Sequence, residues 1–270
     1  MIIEICGGLV FGSMALLADG LHMASHAVAL SINAFAYVYA RRQAQNQRYS
    51  FGTGKVNTLG GYTGAILLAV FAAMMTVESV TRFLYPTDIA FNQAIFVAIL
   101  GLLVNGASVF ILDTDHHHDH DHDHNLKSAY LHVLADALTS LLAIFALLIG
   151  KYLGAIWMDP LMGIVGAVLV MRWSIGLLRT TSAVLLDEQT FPVRCEKIRK
   201  AIESNDDHRV VDLHVWSIGG GACAGIVSVV SINPQPPNHY KILIEKIIKL
   251  EHLSIEVNPF EKPNNTASAN

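Results

Sequence analysis

Residues 14–40 form an apolar run long enough to cross about 30 Å of hydrocarbon, yet the run contains Asp19, His22 and His26. A bilayer accepts ionisable side chains only when they find partners, since each unpartnered polar group costs several kcal/mol. The chain must therefore cross a membrane and supply those partners from elsewhere in its own sequence. Spacings of three and four place the three residues on one stripe of the helix. The partners occur at His132 and Asp136, again one turn apart, in a second apolar stretch at 126–150.

Of the 270 residues, 53% are hydrophobic and only 15% charged, and the apolar ones crowd into the first two thirds. That is the composition of a membrane protein. The opening MIIEICGGLVFG lacks the charged leader of a signal peptide and reads as the second half of a membrane helix. Further spans are expected at 58–84, 91–112 and 156–178, giving six helices of which the first is truncated. The basic stretch RRQAQNQRYSFGTGKVN at 41–57 faces the cytoplasm by the positive-inside rule, and counting spans puts residues 113–125 on the same side. Gly60 and Gly64 have the spacing that lets helix backbones approach closely, and Asn105 reads as an interhelical hydrogen bond. Met158, Asp159 and Pro160 read as an outside turn. Cys6, Cys195 and Cys223 are too scattered for a disulfide framework or a zinc site and read as reduced packing residues.

From Asp187 onward the pattern changes to short amphipathic pieces. A helix is expected at 193–204, strands at 210–218 and 223–232 joined across Gly219, Gly220 and Gly221, a helix at 239–250 and a strand at 253–257. This order suits a small α+β domain with its helices on one face of a sheet. The domains are thus expected at 1–186 and 187–260, with a polar, disordered tail at 261–270. The net charge of −4 and the lack of a basic patch with interleaved aromatics give no sign of nucleic-acid binding.

If the second and fifth spans are neighbours, His22, His26, His132 and Asp136 offer three imidazoles and a carboxylate, a set suited to tetrahedral zinc. Cobalt(II) and nickel(II) also accept imidazole-rich sites, while the absence of thiolates disfavours Cu(I) and, less strongly, Cd(II). Histidine must lose its proton to bind metal, so proton uptake can drive metal release, and exchange of cation for proton is a natural mechanism. Asp19 either relays protons, holds the ring of His22, or sits as a helix-end charge near the outer water. Before the fifth span, His116, His117, His118, His120, His122 and His124 alternate with aspartates. Such a tract is a flexible, unselective chelator that raises the local metal concentration at the transport entrance.

These residues resemble the cation diffusion facilitator family of metal efflux transporters. The likeness runs through ALLADGLHM, HMASH, SFGTGK, the histidine-rich loop, HVLAD, MDP, LLDE and DLHVW, and so covers nearly the whole chain. It implies an inner-membrane homodimer, a six-helix membrane domain, a cytoplasmic ferredoxin-like domain and cation/proton antiport, with no catalytic cofactor. It also implies an ion pair between Lys55 and Asp187 that interlocks the membrane and soluble domains. His26 stands where many members have Asp, as in the cobalt- and nickel-tolerant subgroup with histidine-rich loops. Tyr49 and Thr53 replace loop histidines that some members use for a second zinc, so no metal is expected there. His214, with His208 and His252, is a weak candidate ligand in the soluble domain, and all three read more readily as structural or solvated side chains.

Two other classes compete. An intramembrane metalloenzyme such as a di-iron oxygenase needs a larger ligand set than the single one counted in the spans. A membrane-anchored storage or sensor protein would use the loop alone and leave four polar residues in apolar helices unexplained.

Overall fold

A computed structural model describes the backbone of residues 1–114, 123–189, 191–204 and 207–260, and the side chains of these except 108–135. The elements in order are α1 (Ile2–Phe11), α2 (Met14–Arg42), α3 (Gly54–Leu84), α4 (Phe91–Thr114), α5 (Asp123–Leu153), α6 (Met158–Leu185), α7 (Pro192–Glu203), β1 (His208–Gly219), β2 (Ala222–Ser231), α8 (Pro237–Glu245) and β3 (His252–Pro259). Among the described residues, four helical stretches are long and apolar enough to cross a membrane: α2, α3, Asp136–Leu153 of α5, and α6. Ile2–Phe11 and Phe91–Ala107 are shorter apolar helices. The chain divides into two compact units, residues 1–32 with 63–178 and residues 33–62 with 179–270.

The first unit is helical. Gly12, at φ 75°, ends α1 in the left-handed conformation, and its carbonyl accepts a hydrogen bond from Arg82. Ser13 then caps α2, its hydroxyl accepting from the Leu16 amide at 3.1 Å. Asp159 completes that cap from the first turn of α6. Its Oδ2 accepts from the Met14 amide at 2.6 Å, and its Oδ1 accepts from the Ser13 hydroxyl at 2.6 Å and the Ala15 amide at 3.1 Å. The carboxylate is buried, so the expected outside turn at 158–160 is instead helix, and its acid ties α6 to the start of α2. Three orphan donors and a negative charge meet at the positive end of a helix.

Helix packing uses small residues. A Cβ on Gly8 would lie 2.6 Å from the Leu17 amide nitrogen, and one on Gly20 would lie 2.8 Å from that of Ile5, so α1 and α2 touch backbone to backbone. Close approach was expected at Gly60 and Gly64. At Gly64, however, a Cβ would meet only the side chain of Ile32, at an ordinary 3.6 Å. Leu16, Ala94, Val97, Ala98, Ile144 and Leu147 form a buried cluster between α2, α4 and α5, and Ala18, Met75 and Ala167 another between α2, α3 and α6. Asn105 donates to the Ser140 hydroxyl at 3.3 Å, the interhelical bond its sequence position suggests. Outward lie Leu30, Val70, Met74, Phe96, Leu103 and Leu142, an exposed apolar surface that suits lipid and not water.

The second unit carries a three-stranded sheet in the order β1-β2-β3, with β1 antiparallel and β3 parallel to the central β2. Gly219, Gly220 and Gly221 all take positive φ, which is what the β1–β2 turn requires. Cys195, Ile198 and Ile202 of α7 and Tyr240 and Ile244 of α8 pack with Val215, Val227 and Val229 of the sheet. Helix α8 stops at Glu245, not at 250 as expected, and the Ile247 amide bonds three residues back to the Ile244 carbonyl, which tightens the chain into a turn. That turn buries Ile248 and delivers the Glu251 amide to the Cys223 carbonyl. Helix α3 begins at Gly54, before the expected residue 58, because a polar first turn needs no lipid. Cys195 and Cys223 are buried packing residues, and burial pushes the Cys223 thiol up, whereas Cys6 is exposed.

Candidate metal centre

His22 and His26 occupy successive turns of α2, and Asp136 faces them from α5. The His22 Nε2 lies 3.1 Å from Asp136 Oδ1 and 3.4 Å from His26 Nε2. One donor atom from each of the three residues falls within 4.8 Å of the others. Asp136 is buried and both histidines are half-buried. The two imidazoles meet edge to face, and the Trp173 ring of α6 lies 5.6 Å from His22 and 5.5 Å from His26. Nitrogen and carboxylate donors converging beside an indole on apolar helices can hold a divalent cation.

His132 occupies the position one turn before Asp136 on α5, and its side chain lies outside the described residues. So do His116, His117, His118, His120 and His122 entirely, and the side chain of His124.

Asp19 is buried one turn along α2 from His22. Its Oδ2 accepts from the Ser140 hydroxyl at 2.6 Å and its Oδ1 from that of Thr139 at 3.2 Å. Thr139 shares its single proton with the Asp136 carbonyl, 2.8 Å away, so a hydroxyl bridges Asp19 to the backbone of Asp136. Asp19 and His22 both line a cavity of about 60 Å³, together with Ala15, Thr139, Met162 and Leu169. Ser140 lies four residues after Asp136, a helical repeat visible in the sequence. Trp173 carries no comparable signal.

In the second unit, Lys55 Nζ donates to Asp187 Oδ1 at 2.6 Å, with both side chains partly exposed. Asp187 takes φ 56°, a left-handed turn just past α6. Tyr49 shares a hydrogen bond with the Tyr39 hydroxyl, and Thr53 donates to the Ala40 carbonyl. His214 pairs with Asp212 at 2.8 Å on the solvated side of β1. His252 packs its ring on Phe51, and His208 is buried against Tyr240. Among the described residues, none of these three belongs to a group of three or more potential metal donors.

The apolar helices and the buried histidine–aspartate cluster define a membrane protein with polar chemistry inside its spans. Residues 1–186 match the family described as the cation efflux transmembrane domain. The chain is 32% identical over 260 residues to the zinc transporter ZitB of Pectobacterium atrosepticum, covering 95% of this chain and 79% of that one. It is 31% identical over 226 residues to the cadmium, cobalt and zinc/H(+)-K(+) antiporter of Bacillus subtilis, covering 82% and 70%. With the cation efflux system protein CzcD of an Alcaligenes strain it shares 29% over 263 residues, covering 95% and 81%. The chain belongs to the cation diffusion facilitator family of metal efflux transporters and is a multi-pass inner-membrane protein.

Proposed function

We propose that this protein exports divalent transition-metal cations, Zn(II), Co(II) and Ni(II), from the cytoplasm in exchange for protons. The carrying observation is the convergence of His22, His26 and Asp136 within 4.8 Å on two apolar helices. His132, one turn before Asp136, is the fourth ligand in this reading, completing a tetrahedral set. Each imidazole gives up its proton to bind cation and regains it on release, so the site alternates between metal and proton. The relatives named for zinc, cobalt and proton exchange support this cargo and this coupling. Asp19 serves as proton relay or positions the site through Thr139. The histidines between His116 and His124 gather cations at the entrance. His214 is a solvated side chain outside the transport path.

The membrane domain spans 1–186 as six helices, supported by the extent of the family match and by α1 to α6. The α-β-β-α-β order of residues 187–260 supports a ferredoxin-like domain on the cytoplasmic side. Two copies form the working dimer, each with its Lys55–Asp187 pair linking membrane domain to soluble domain. Metal uptake into sealed inside-out vesicles tests the proposal, with zinc, cobalt and nickel compared under an imposed proton gradient. Accumulation against the metal gradient supports export. Binding without accumulation would instead favour a membrane-anchored store or sensor.

A further inference from the structure

Helix α6 supplies none of the three clustered donors, yet it brings the Trp173 ring onto two of them. The indole centroid lies 5.6 Å from that of His22 at an interplanar angle of 46°, and 5.5 Å from that of His26 at 64°. The imidazoles are themselves 4.8 Å apart and nearly perpendicular. All three separations fall in the range of about 4.5–7 Å at which aromatic rings attract one another. Each contact removes rotational freedom from an imidazole whose nitrogen must point at the cation.

The next residue holds the indole in this direction. Ser174 is fully buried, and its hydroxyl donates to the Ala65 carbonyl of α3 at 2.6 Å. With Ser174 turned onto α3, Trp173 lies about 100° away around the same helix, on the side that meets α2. Trp173 is nonetheless 49% exposed, so it forms a wall of the cluster one side chain thick. The cavity that reaches His22 lies elsewhere, with Asp19, Thr139 and Leu169 among its walls and Trp173 not. Water can approach His22 through that cavity, and the indole closes another side.

A divalent cation fills the positions its protein ligands leave open with water, and the apolar shell around the ligands decides how much water arrives. An indole has one N–H donor and no acceptor for the protons of a coordinated water. Zn(II) suits four ligands in a tetrahedron, whereas Ni(II) prefers tetragonal arrangements with further ligands on the axis. A wall that keeps water off the cation therefore discriminates between metals without touching them.

We propose that Trp173 is a specificity-determining residue whose ring walls the His22, His26 and Asp136 cluster against added water ligands, holding the cation at four-coordination and favouring Zn(II) and Co(II) over Ni(II). It acts through the two imidazoles it orients and the space it fills. The inference rests on the transport-site reading above, with His132 as the fourth ligand.

The test uses the colour of Co(II), which absorbs visible light strongly when four-coordinate and weakly when six-coordinate. Spectra of purified, cobalt-loaded wild type, Trp173→Ala, Trp173→Val, Trp173→Phe and Ile175→Ala are each taken against cobalt-loaded Asp136→Ala, which subtracts cobalt held by the histidine-rich tract. Zinc and nickel uptake into sealed inside-out vesicles is recorded against concentration for the same proteins. Wild type should give the strong band, and Trp173→Phe, which keeps a flat ring, should retain it. In Trp173→Ala and Trp173→Val the band should collapse, either variant that folds being sufficient. Their half-saturating zinc concentration should rise about 10-fold, the lower end for groups that support a metal's ligands. Nickel should be spared, so the preference for zinc over nickel falls by the same factor while maximal zinc flux is kept. Ile175→Ala, which trims another exposed side chain of α6, should match wild type. A six-coordinate spectrum in wild type overturns the proposal. So does a strong band that survives in Trp173→Ala or Trp173→Val, or an equal loss of zinc and nickel uptake. A wild-type spectrum identical to that of Asp136→Ala would overturn the assigned transport site instead.

Discussion

Two histidine–aspartate pairs in this protein have nearly the same separation and opposite surroundings. His214 and Asp212 are 2.8 Å apart, with side chains 59% and 51% exposed. His22 and Asp136 are 3.1 Å apart, with side chains 15% and 6% exposed. The shorter pair is the weaker candidate. Its partners sit two residues apart on one face of one strand, where alternation brings them together without help from the fold. Water competes for both, and such exposed pairs contribute about 0–1 kcal/mol. The longer pair joins residues 114 positions apart in sequence, on two helices, and adds the nitrogen of His26 at 3.4 Å. Convergence of a third donor and the loss of solvent separate a site from a surface contact.

Breaking the buried pair should have the largest effect. Asp136→Ala removes the only carboxylate of the proposed ligand set and leaves imidazoles alone to hold the cation. Zinc flux in vesicles should fall by more than the roughly 10–100-fold typical of losing a group one shell further from a metal. Flux within twofold of wild type would mean that cation passes elsewhere, and the contrast between the two pairs would then carry no functional meaning.

The contrast was only half legible in the sequence. The i, i+4 spacings of His22 with His26 and of His132 with Asp136 announce two ligand-bearing faces, because ionisable residues in membrane-length apolar runs are rarely idle. Asp19 was visible for the same reason, but its partners were not, since Ser140 and Thr139 become its donors only once α2 and α5 are packed. Asp159 was misplaced because MDP reads locally as a turn, whereas its burial depends on the start of α2 arriving from far away in sequence. The sheet elements were readable to within a few residues from alternation and the triple glycine. The end of α8 was not, because a returning turn there replaces the continued apolar period.

The hydroxyl network around Asp19 sharpens the comparison, since the exposed pair has no counterpart to it. Ser140→Ala deprives Asp19 of its shorter hydrogen bond and leaves the Asn105 amide without its acceptor. A hydrogen bond to a charged group is worth about 1.5–3 kcal/mol, so unfolding in detergent should show a destabilisation of that order. Stability equal to wild type would show that water replaces the hydroxyl at no cost and that the region is wetter than its burial implies.

Changing a donor rather than removing it is a gentler perturbation. His26→Asp makes the cluster richer in oxygen, and selectivity should shift away from Co(II) and Ni(II) toward Zn(II) or Cd(II). A shift of roughly tenfold corresponds to about 1.4 kcal/mol of differential binding. Competition uptake with paired metals measures it directly. An unchanged preference would place metal choice outside these side chains.

The smallest effect should come from the exposed pair. His214→Ala removes an imidazole that water can replace on a carboxylate already half in solvent, so the stability of the sheet should change by less than about 1 kcal/mol. No third donor stands close enough among the described residues to make the pair a chelate. Zinc flux should therefore match wild type at every metal concentration, and zinc calorimetry on the double variant His214→Ala with Asp136→Ala should match Asp136→Ala alone. If His214→Ala instead lowered flux or removed a binding event, the pair would have to find its missing donor on another copy of the chain. Exposure measured on a single chain would then understate burial in the working assembly, and the two pairs would differ in when they close rather than in whether they do.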